Sequence, residues 1–173
     1  YEGINRANYL EENKGKLDFT GKDQVYGQAY FLRAYYYFEL VRFFGDVPLF
    51  TEKRLGVGDS KTLGRSPKAE VYKQIELDLN NAIAVLPATQ AEQGRVTKYA
   101  AQALLGKVLL YQGKFDEAAD MLENVVNGPF RLVEDFASIF LSSGENGPES
   151  VFEIQYTNNN PFFDWSNPGR GQG

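Results

Sequence analysis

The residues best suited to chemistry lie near the end of the chain, in a loop that combines aromatic rings with amides and one arginine. Its candidate binding residues are Asn159, Asn160, Phe162, Phe163, Trp165 and Arg170. A flat ring can stack on the apolar C–H face of a pyranose, while amide and guanidinium groups bind the hydroxyls. The loop therefore predicts a carbohydrate-binding surface. The alternative is structural, with Trp165 a buried anchor and the asparagine run ordinary turn chemistry.

Catalysis has no comparable set of side chains. The sequence contains no cysteine and no histidine, which excludes cysteine nucleophiles, serine–histidine triads and the usual zinc sites within this chain. A glycosidase needs two carboxylates about 5–9.5 Å apart across the scissile bond. The acids nearest the loop are Glu149, Glu153 and Asp164, and no pair among them stands out. We therefore predict a non-catalytic protein without a cofactor.

Phosphate and metal sites are also disfavoured. The stretch from Gly15 to Gly21 has one residue too many for a P-loop, and Asp23 replaces the hydroxyl that would hold magnesium. The acidic residues of 116–120 open a predicted helix, where they interact favourably with its dipole and are too few to hold calcium. A net charge of −5 argues against nucleic acid as a partner.

The elements that must position the loop are mostly helices. Apolar residues recur every three to four positions in stretches that predict helices over about 1–14, 21–44, 66–86, 98–112 and 115–126. Thr20, Ser66 and Thr97 are the expected N-caps. No apolar run of about 18 residues could cross a bilayer. The sequence therefore predicts a mainly α fold.

The second predicted helix is apolar nearly all round, which is typical of a helix buried among others. Its main stripe is expected to be Val25, Ala29, Leu32, Tyr36, Leu40 and Phe43. The aromatic run 35–38 cannot form one binding platform, because consecutive helical residues point about 100° apart. We expect that run to be core.

The stretch 98–129 matches the tetratricopeptide pattern, in which two antiparallel helices form one repeat. Gly106 would allow close approach, Gly113 would make the turn and Ala118 would stand where the helices cross. Leu109 occupies a position where tyrosine is usual. The predicted helices 21–44 and 66–86 would form an earlier pair, with an insertion at about 51–65 between them. An ordinary helical bundle is the alternative.

The last third of the chain has a different character. Apolar and polar residues alternate from Glu149 to Tyr156, which predicts a short strand before the ring-rich loop. We therefore divide the chain into a helical scaffold over 1–129 and a loop and strand segment over 130–173 that contributes to ligand binding. Tyr1 lies within a helical pattern and Gly173 ends a glycine-rich loop, so we expect an internal segment of a longer protein.

Four stretches together resemble the SusD/RagB family: residues 1–8, 33–48, 96–107 and 149–155. The second is the most specific, running from Arg33 through a tyrosine-rich helix to Phe-Gly-Asp-Val-Pro48. The resemblance implies a SusD-like superhelix of tetratricopeptide helices, with the ligand surface formed by loops. Arg6 and Asn8 lie near another ligand region of the family, but we expect them to be ordinary helix-surface residues.

The resemblance also implies a biological setting. Such proteins are lipid-anchored at the outer membrane of Bacteroidetes and face outward, bind oligosaccharides or polysaccharides, and act as a lid on a SusC-type TonB-dependent transporter. The cysteine that carries the lipid would lie outside this segment. Two alternatives stay open: a tetratricopeptide scaffold for protein partners, and capture of peptide instead of glycan.

Overall fold

The computed structural model describes residues 1–16, 18–56 and 58–156. The described residues form five α-helices: α1 (Glu2–Glu12), α2 (Lys22–Phe44), α3 (Lys68–Val85), α4 (Lys98–Tyr111) and α5 (Phe115–Val126). One short 3-10 turn lies between α2 and α3, at Asp59–Lys61, and two follow α5, at Phe136–Phe140 and Ser142–Gly144. Each helix packs against the next one along the chain. The predicted mainly α fold is confirmed.

Helices α2 and α3 form the first antiparallel pair. Near one end of the pair, Gly27 lies so close to α3 that a Cβ atom there would stand 2.7 Å from the Val85 side chain. Near the other end, the Asp46 carboxylate accepts a hydrogen bond of 2.8 Å from the Lys68 amide. The chain between the two helices covers 45–67, and the insertion predicted at about 51–65 falls within this stretch.

Helix α2 buries a different face from the predicted stripe. Its buried residues include Tyr26, Tyr30, Arg33, Tyr37 and Val41, whereas Val25, Leu32, Tyr36 and Phe43 are exposed. Because α2 carries apolar side chains on every face, hydrophobic burial alone does not determine which face packs into the core. The polar groups determine the buried face of α2 instead, because a buried arginine or tyrosine hydroxyl must contact its hydrogen-bonding partners.

Helices α4 and α5 form the second antiparallel pair, as the tetratricopeptide pattern predicted. The Thr97 hydroxyl caps α4 by accepting a hydrogen bond of 3.2 Å from the Ala100 amide. Gly113 makes the turn with a φ of 76°, a left-handed conformation that glycine adopts at little cost. A Cβ atom on Gly106 would come within 2.5 Å of Leu122, so the two helices approach closely there.

Two predicted N-caps are wrong. The residue before α2 is Gly21, in a left-handed conformation with a φ of 85°, and no side chain caps that helix. Ser66 precedes a proline, which favours extended backbone, and it pairs with Val47 in an isolated antiparallel bridge. The first turn of α3 therefore receives its acceptor from Asp46, which lies 22 positions before Lys68 in the chain.

The strand predicted over Glu149–Tyr156 is not formed in the described part of the chain. A strand needs a partner for its backbone groups, and the one bridge among the described residues lies elsewhere, between Val47 and Ser66. The alternating residues still contribute to packing, since Phe152 meets Phe31 edge-on at a centroid distance of 5.5 Å.

The core runs continuously through all five helices and includes Ile4, Phe38, Ile75, Leu79 and Val108, each at most 1% exposed. None of the helices that the structure describes is long and apolar enough to cross a membrane.

Candidate functional site

The six predicted binding residues lie outside the residues that the structure describes. They are Asn159, Asn160, Phe162, Phe163, Trp165 and Arg170. Their role in ligand binding therefore stays a prediction. A site can be built from the described residues at the opposite end of the sequence, where α1 meets the chain that follows α2.

A groove of about 570 Å³ lies between α1 and residues 54–56. Its lining residues are Glu2, Asn5, Arg6, Tyr9, Glu12, Arg54, Leu55 and Gly56. The five that belong to α1 lie at positions 2, 5, 6, 9 and 12, and spacings of three and four among them place them along one face of the helix. We call this feature the α1 groove and the segment 50–56 its wall.

One aromatic ring is presented in the α1 groove. Tyr9 is 49% exposed, and the Arg54 guanidinium carbon lies 4.3 Å from the centroid of its ring. A cation over the face of an aromatic ring is attracted by the ring quadrupole. The contact therefore links the helix to the wall and leaves part of the ring open to solvent.

Two ion pairs supply the polar groups of the α1 groove. Arg6 Nε lies 3.2 Å from a Glu2 carboxylate oxygen, and Arg54 Nε lies 3.0 Å from a Glu12 carboxylate oxygen. Each pair occupies only one of the guanidinium nitrogens, so donors and acceptors both line the site. The positive and negative charges balance, which gives a surface that is polar without a strong field of either sign.

The wall is tied to α1 by two asparagines. The Asn5 Oδ1 atom accepts a hydrogen bond of 3.0 Å from the Leu55 amide. One turn further on, the Asn8 amide donates to the carbonyls of Phe50 and Lys53 at 3.0 and 3.2 Å. Asn8 is fully buried, so its predicted place on the helix surface is wrong, while the Arg6 side chain is 55% exposed as expected.

Beneath the wall lies the Arg33 guanidinium, at the centre of a buried network. It makes two hydrogen bonds of 2.7 Å to the Asp78 carboxylate, one of 2.9 Å to Asn8 Oδ1 and one of 2.7 Å to the carbonyl of Thr51. The Tyr37 hydroxyl donates to the carbonyl of Phe50 at 2.8 Å. Burial lowers the pKa of Arg33, but Asp78 more than offsets this, so the arginine stays charged.

Sequence reasoning missed this network, although two signals for it are present. Arg33 interrupts the apolar and aromatic run 29–38 of α2, and Asp78 interrupts the apolar stripe of α3 between Ile75 and Leu79. Opposite charges set within the apolar stretches of two helices that are expected to pair are typical of a buried ion pair, since an unpaired buried charge is very costly.

Of the three acids considered for hydrolysis, Asp164 lies outside the described residues, and the other two have structural partners. The Glu149 carboxylate accepts a hydrogen bond of 2.7 Å from the Val133 amide. The Glu153 carboxylate accepts one of 3.0 Å from the Asn146 amide. Both therefore hold the irregular backbone that follows α5.

Comparison with known proteins identifies the family. A profile of SusD-like proteins, described as "Starch-binding associating with outer membrane", matches residues 1–110. The chain belongs to the SusD-like family. This confirms the resemblance seen in the sequence. The family's description names starch binding and an association with the outer membrane.

Individual SusD-like relatives agree with this assignment. SusD-like protein P2 of Formosa agariphila is 34% identical over 163 residues, which are 90% of this chain and 32% of the relative. The chain thus spans about a third of the length of the curated relatives that it matches.

Two similar solved structures carry a ligand name. A laminarin-binding SusD-like protein superposes with a TM-score of 0.85 at 35% identity, covering 99% of this chain and 39% of that protein. Surface glycan-binding protein A from Bacteroides thetaiotaomicron, in complex with laminarihexaose, superposes with a TM-score of 0.81 at 26% identity, covering 97% of this chain and 36% of its own.

Proposed function

We propose that this chain is part of a non-catalytic surface protein that binds a glycan and delivers it to a SusC-type TonB-dependent transporter. The observation that carries the proposal is the superposition on surface glycan-binding protein A in complex with laminarihexaose, at a TM-score of 0.81 over 97% of this chain. The family description, starch-binding and associated with the outer membrane, supports both the ligand class and the location.

The ligand surface in this proposal has two parts. One is the α1 groove, with the Tyr9 ring and the paired charges around it. The other is the ring-rich loop with Phe162, Phe163 and Trp165, flanked by Asn159 and Asn160 and followed by Arg170. Residues 1–129 would serve as the helical scaffold and 130–173 would contribute the second part of the surface.

The proposed ligand is an uncharged oligosaccharide. Sugar hydroxyls both donate and accept hydrogen bonds, so they suit a groove that offers arginines and carboxylates side by side. An anionic polysaccharide would find each groove arginine already paired with a glutamate. It would also meet a chain with a net charge of −5.

The cellular setting follows from the family. We place the protein at the outer membrane, facing outward, with a lipid anchor outside this segment and the transporter as its protein partner. Co-purification of the natural, full-length protein with a TonB-dependent transporter from outer-membrane extracts tests that partnership. Purification of the protein alone under conditions that preserve other transporter complexes would count against it.

Isothermal titration with laminarihexaose, maltohexaose and cellohexaose tests the ligand class. We expect Tyr9→Ala and Trp165→Ala each to weaken binding by about 1–2 kcal/mol, because each removes a ring on which a sugar can stack. Phe115→Ala is the matched control, since that ring is 66% exposed on α5. Equal affinity in the parent and all three variants would show that neither Tyr9 nor Trp165 belongs to the binding site.

A further inference from the structure

We infer that Asn8 and Arg33 are positioning residues for the α1 groove: they hold its wall so that Arg54 stays over the Tyr9 ring, although neither side chain lines the groove. The inference rests on the proposed function for its effect on ligand binding. Its structural part, the placement of the wall, can be measured without any ligand.

The two side chains are buried but end at the main chain of the wall. Asn8 is fully buried and Arg33 is 4% exposed, yet both reach the backbone of the wall. Between them they donate hydrogen bonds to three carbonyls, those of Phe50, Thr51 and Lys53. These carbonyls belong to the four residues that directly precede Arg54.

The two positioning residues also fix each other. Arg33 donates to Asn8 Oδ1 at 2.9 Å, which sets the amide orientation so that its NH₂ group faces the wall carbonyls. On its other side the guanidinium donates two hydrogen bonds of 2.7 Å to the Asp78 carboxylate. A planar guanidinium held in this bidentate way has little rotational freedom. The wall is therefore anchored to a rigid group, not to a flexible side chain.

The wall carries the residues that the ligand would meet. Arg54 reaches back from it to Glu12 at 3.0 Å and to the Tyr9 ring at 4.3 Å. The Arg54–Glu12 pair is largely exposed, with side chains 52% and 39% accessible, and exposed ion pairs contribute little by themselves. The position of Arg54 must then come mostly from the backbone beneath it, which Asn8 and Arg33 hold.

The test is Asn8→Asp, a nearly isosteric change. An aspartate can still accept from Arg33, but it cannot donate to the carbonyls of Phe50 and Lys53. We expect faster hydrogen exchange of the amides of Phe50 and Leu55 and roughly tenfold weaker laminarihexaose binding, in line with the loss of buried hydrogen bonds. Asn8→Ala is the second variant, should the aspartate prevent folding.

A merely structural role would give a different pattern. Val108→Ala in α4 removes core packing far from α1, and we expect it to lower the melting temperature without changing affinity. A double-mutant cycle of Asn8→Asp with Arg54→Ala sharpens the contrast. If Asn8 acts through Arg54, the two losses of affinity overlap and the combined loss is smaller than their sum.

Each outcome decides between the alternatives. Unchanged exchange at Phe50 and Leu55 in both Asn8 variants overturns the inference whatever the ligand data show. Faster exchange with unchanged affinity, while Tyr9→Ala weakens binding, overturns the link to the ligand but leaves the proposed function standing. A parent chain that binds no tested glycan contradicts the proposed function, and the exchange data then still decide whether Asn8 positions the wall.

Discussion

The buried pair of Arg33 and Asp78 shows how much a single residue can require of its surroundings. Both side chains are at most 5% exposed, so each loses almost all of its contact with water. Two short hydrogen bonds between them, with further bonds to Asn8 and Thr51, replace that solvation. The pair is thus a strong constraint on geometry, whatever its net contribution to the free energy of folding.

Breaking the pair on one side should be severe. We expect Asp78→Ala to lower the free energy of unfolding by about 3–5 kcal/mol, because it leaves the Arg33 charge buried without a counter-ion. Urea unfolding followed by circular dichroism measures the change. The double variant Arg33→Met with Asp78→Leu should recover much of the loss. A loss below about 1 kcal/mol for Asp78→Ala would show that water or another group solvates the arginine.

Tyr37 makes stability depend on alkaline pH. Its side chain is fully buried, and burial raises its pKa above the ordinary value of 10.0. The unfolded chain therefore loses this proton at a lower pH than the folded chain does. The free energy of unfolding should fall as pH rises above about 10, since the unfolded state binds fewer protons there.

Urea midpoints between pH 8 and pH 11 test this dependence. We expect Tyr37→Phe to be less stable than the parent at pH 8, because it loses the hydrogen bonds to Phe50. The variant should nevertheless lose less stability between pH 9 and pH 11. Parallel alkaline losses in parent and variant would assign the dependence to other groups.

At the scale of helices and turns, the sequence predicted which helices form and in what order better than it predicted which face of each helix is buried. All five helices were predicted with ends within a few residues, because periodic apolar residues and glycine or proline stops are local signals. The buried face of α2 was not predicted correctly, because it depends on contacts with Asp78 and the wall, which are distant from α2 in the chain. The strand prediction was wrong for the same reason, because alternation is a local pattern whereas a strand also needs a partner from a distant part of the chain.

For the candidate binding site, too, the sequence predicted what depends on local composition and missed what depends on long-range contacts. Ring and amide composition predicted a carbohydrate surface at 157–170, whereas the α1 groove needed the approach of residues about 50 positions apart, as in the bond from Leu55 to Asn5. Asn8 was misplaced on the surface because its neighbours along α1 do not reveal that the wall covers it. No local pattern in the sequence encodes that approach.

The α4–α5 pair should respond to Gly106 in a background-dependent way. Alanine in a helix interior is favoured over glycine by about 1 kcal/mol. In the parent, however, the new Cβ atom would stand 2.5 Å from Leu122 and force it to move. We expect Gly106→Ala to destabilise the parent and to stabilise a Leu122→Ala background. Thermal unfolding of the four proteins gives the coupling, and additive effects would contradict the close approach.

The start of α3 should depend on Asp46. Its carboxylate accepts a hydrogen bond from the Lys68 amide at 2.8 Å, in the role of an N-cap supplied from outside the helix. We expect Asp46→Ala to cost about 1 kcal/mol of unfolding free energy, by analogy with local caps. Asp46→Asn keeps an acceptor oxygen and should cost less. Urea unfolding compares the three proteins, and equal losses in the two variants would argue against the hydrogen bond.

Across the whole molecule, two antiparallel helix pairs form the scaffold and α1 adds a groove at one side. The α1 groove lies against the first pair, since α1 packs on α2, while α5 packs on α4 in the second pair. Substitutions in α5 therefore provide controls that share the fold without sharing the site.

Charge balance in the α1 groove gives a prediction about ligand choice. Glu12→Gln removes the partner of Arg54 and should raise affinity for an alginate oligosaccharide roughly two- to five-fold at low salt, in the range of an exposed ion pair. The gain should disappear at about 0.5 M salt, where exposed charges are screened. Glu117→Gln on α5 changes the net charge equally and serves as control. An equal gain in both would point to overall charge.

Apart from the Arg54–Glu12 pair, the hydrogen bonds described between the wall and the helices use main-chain atoms of the wall: the carbonyls of residues 50, 51, 53 and 55 and the amides of 50 and 55. Such anchors do not depend on which side chains the segment carries. Positions 52 and 54 could thus be randomised in a library while the loop keeps its course. Recognition can diverge there at little cost to the helical framework, since only the exposed contacts of Arg54 would be lost. This makes the segment a natural graft point for new saccharide preferences.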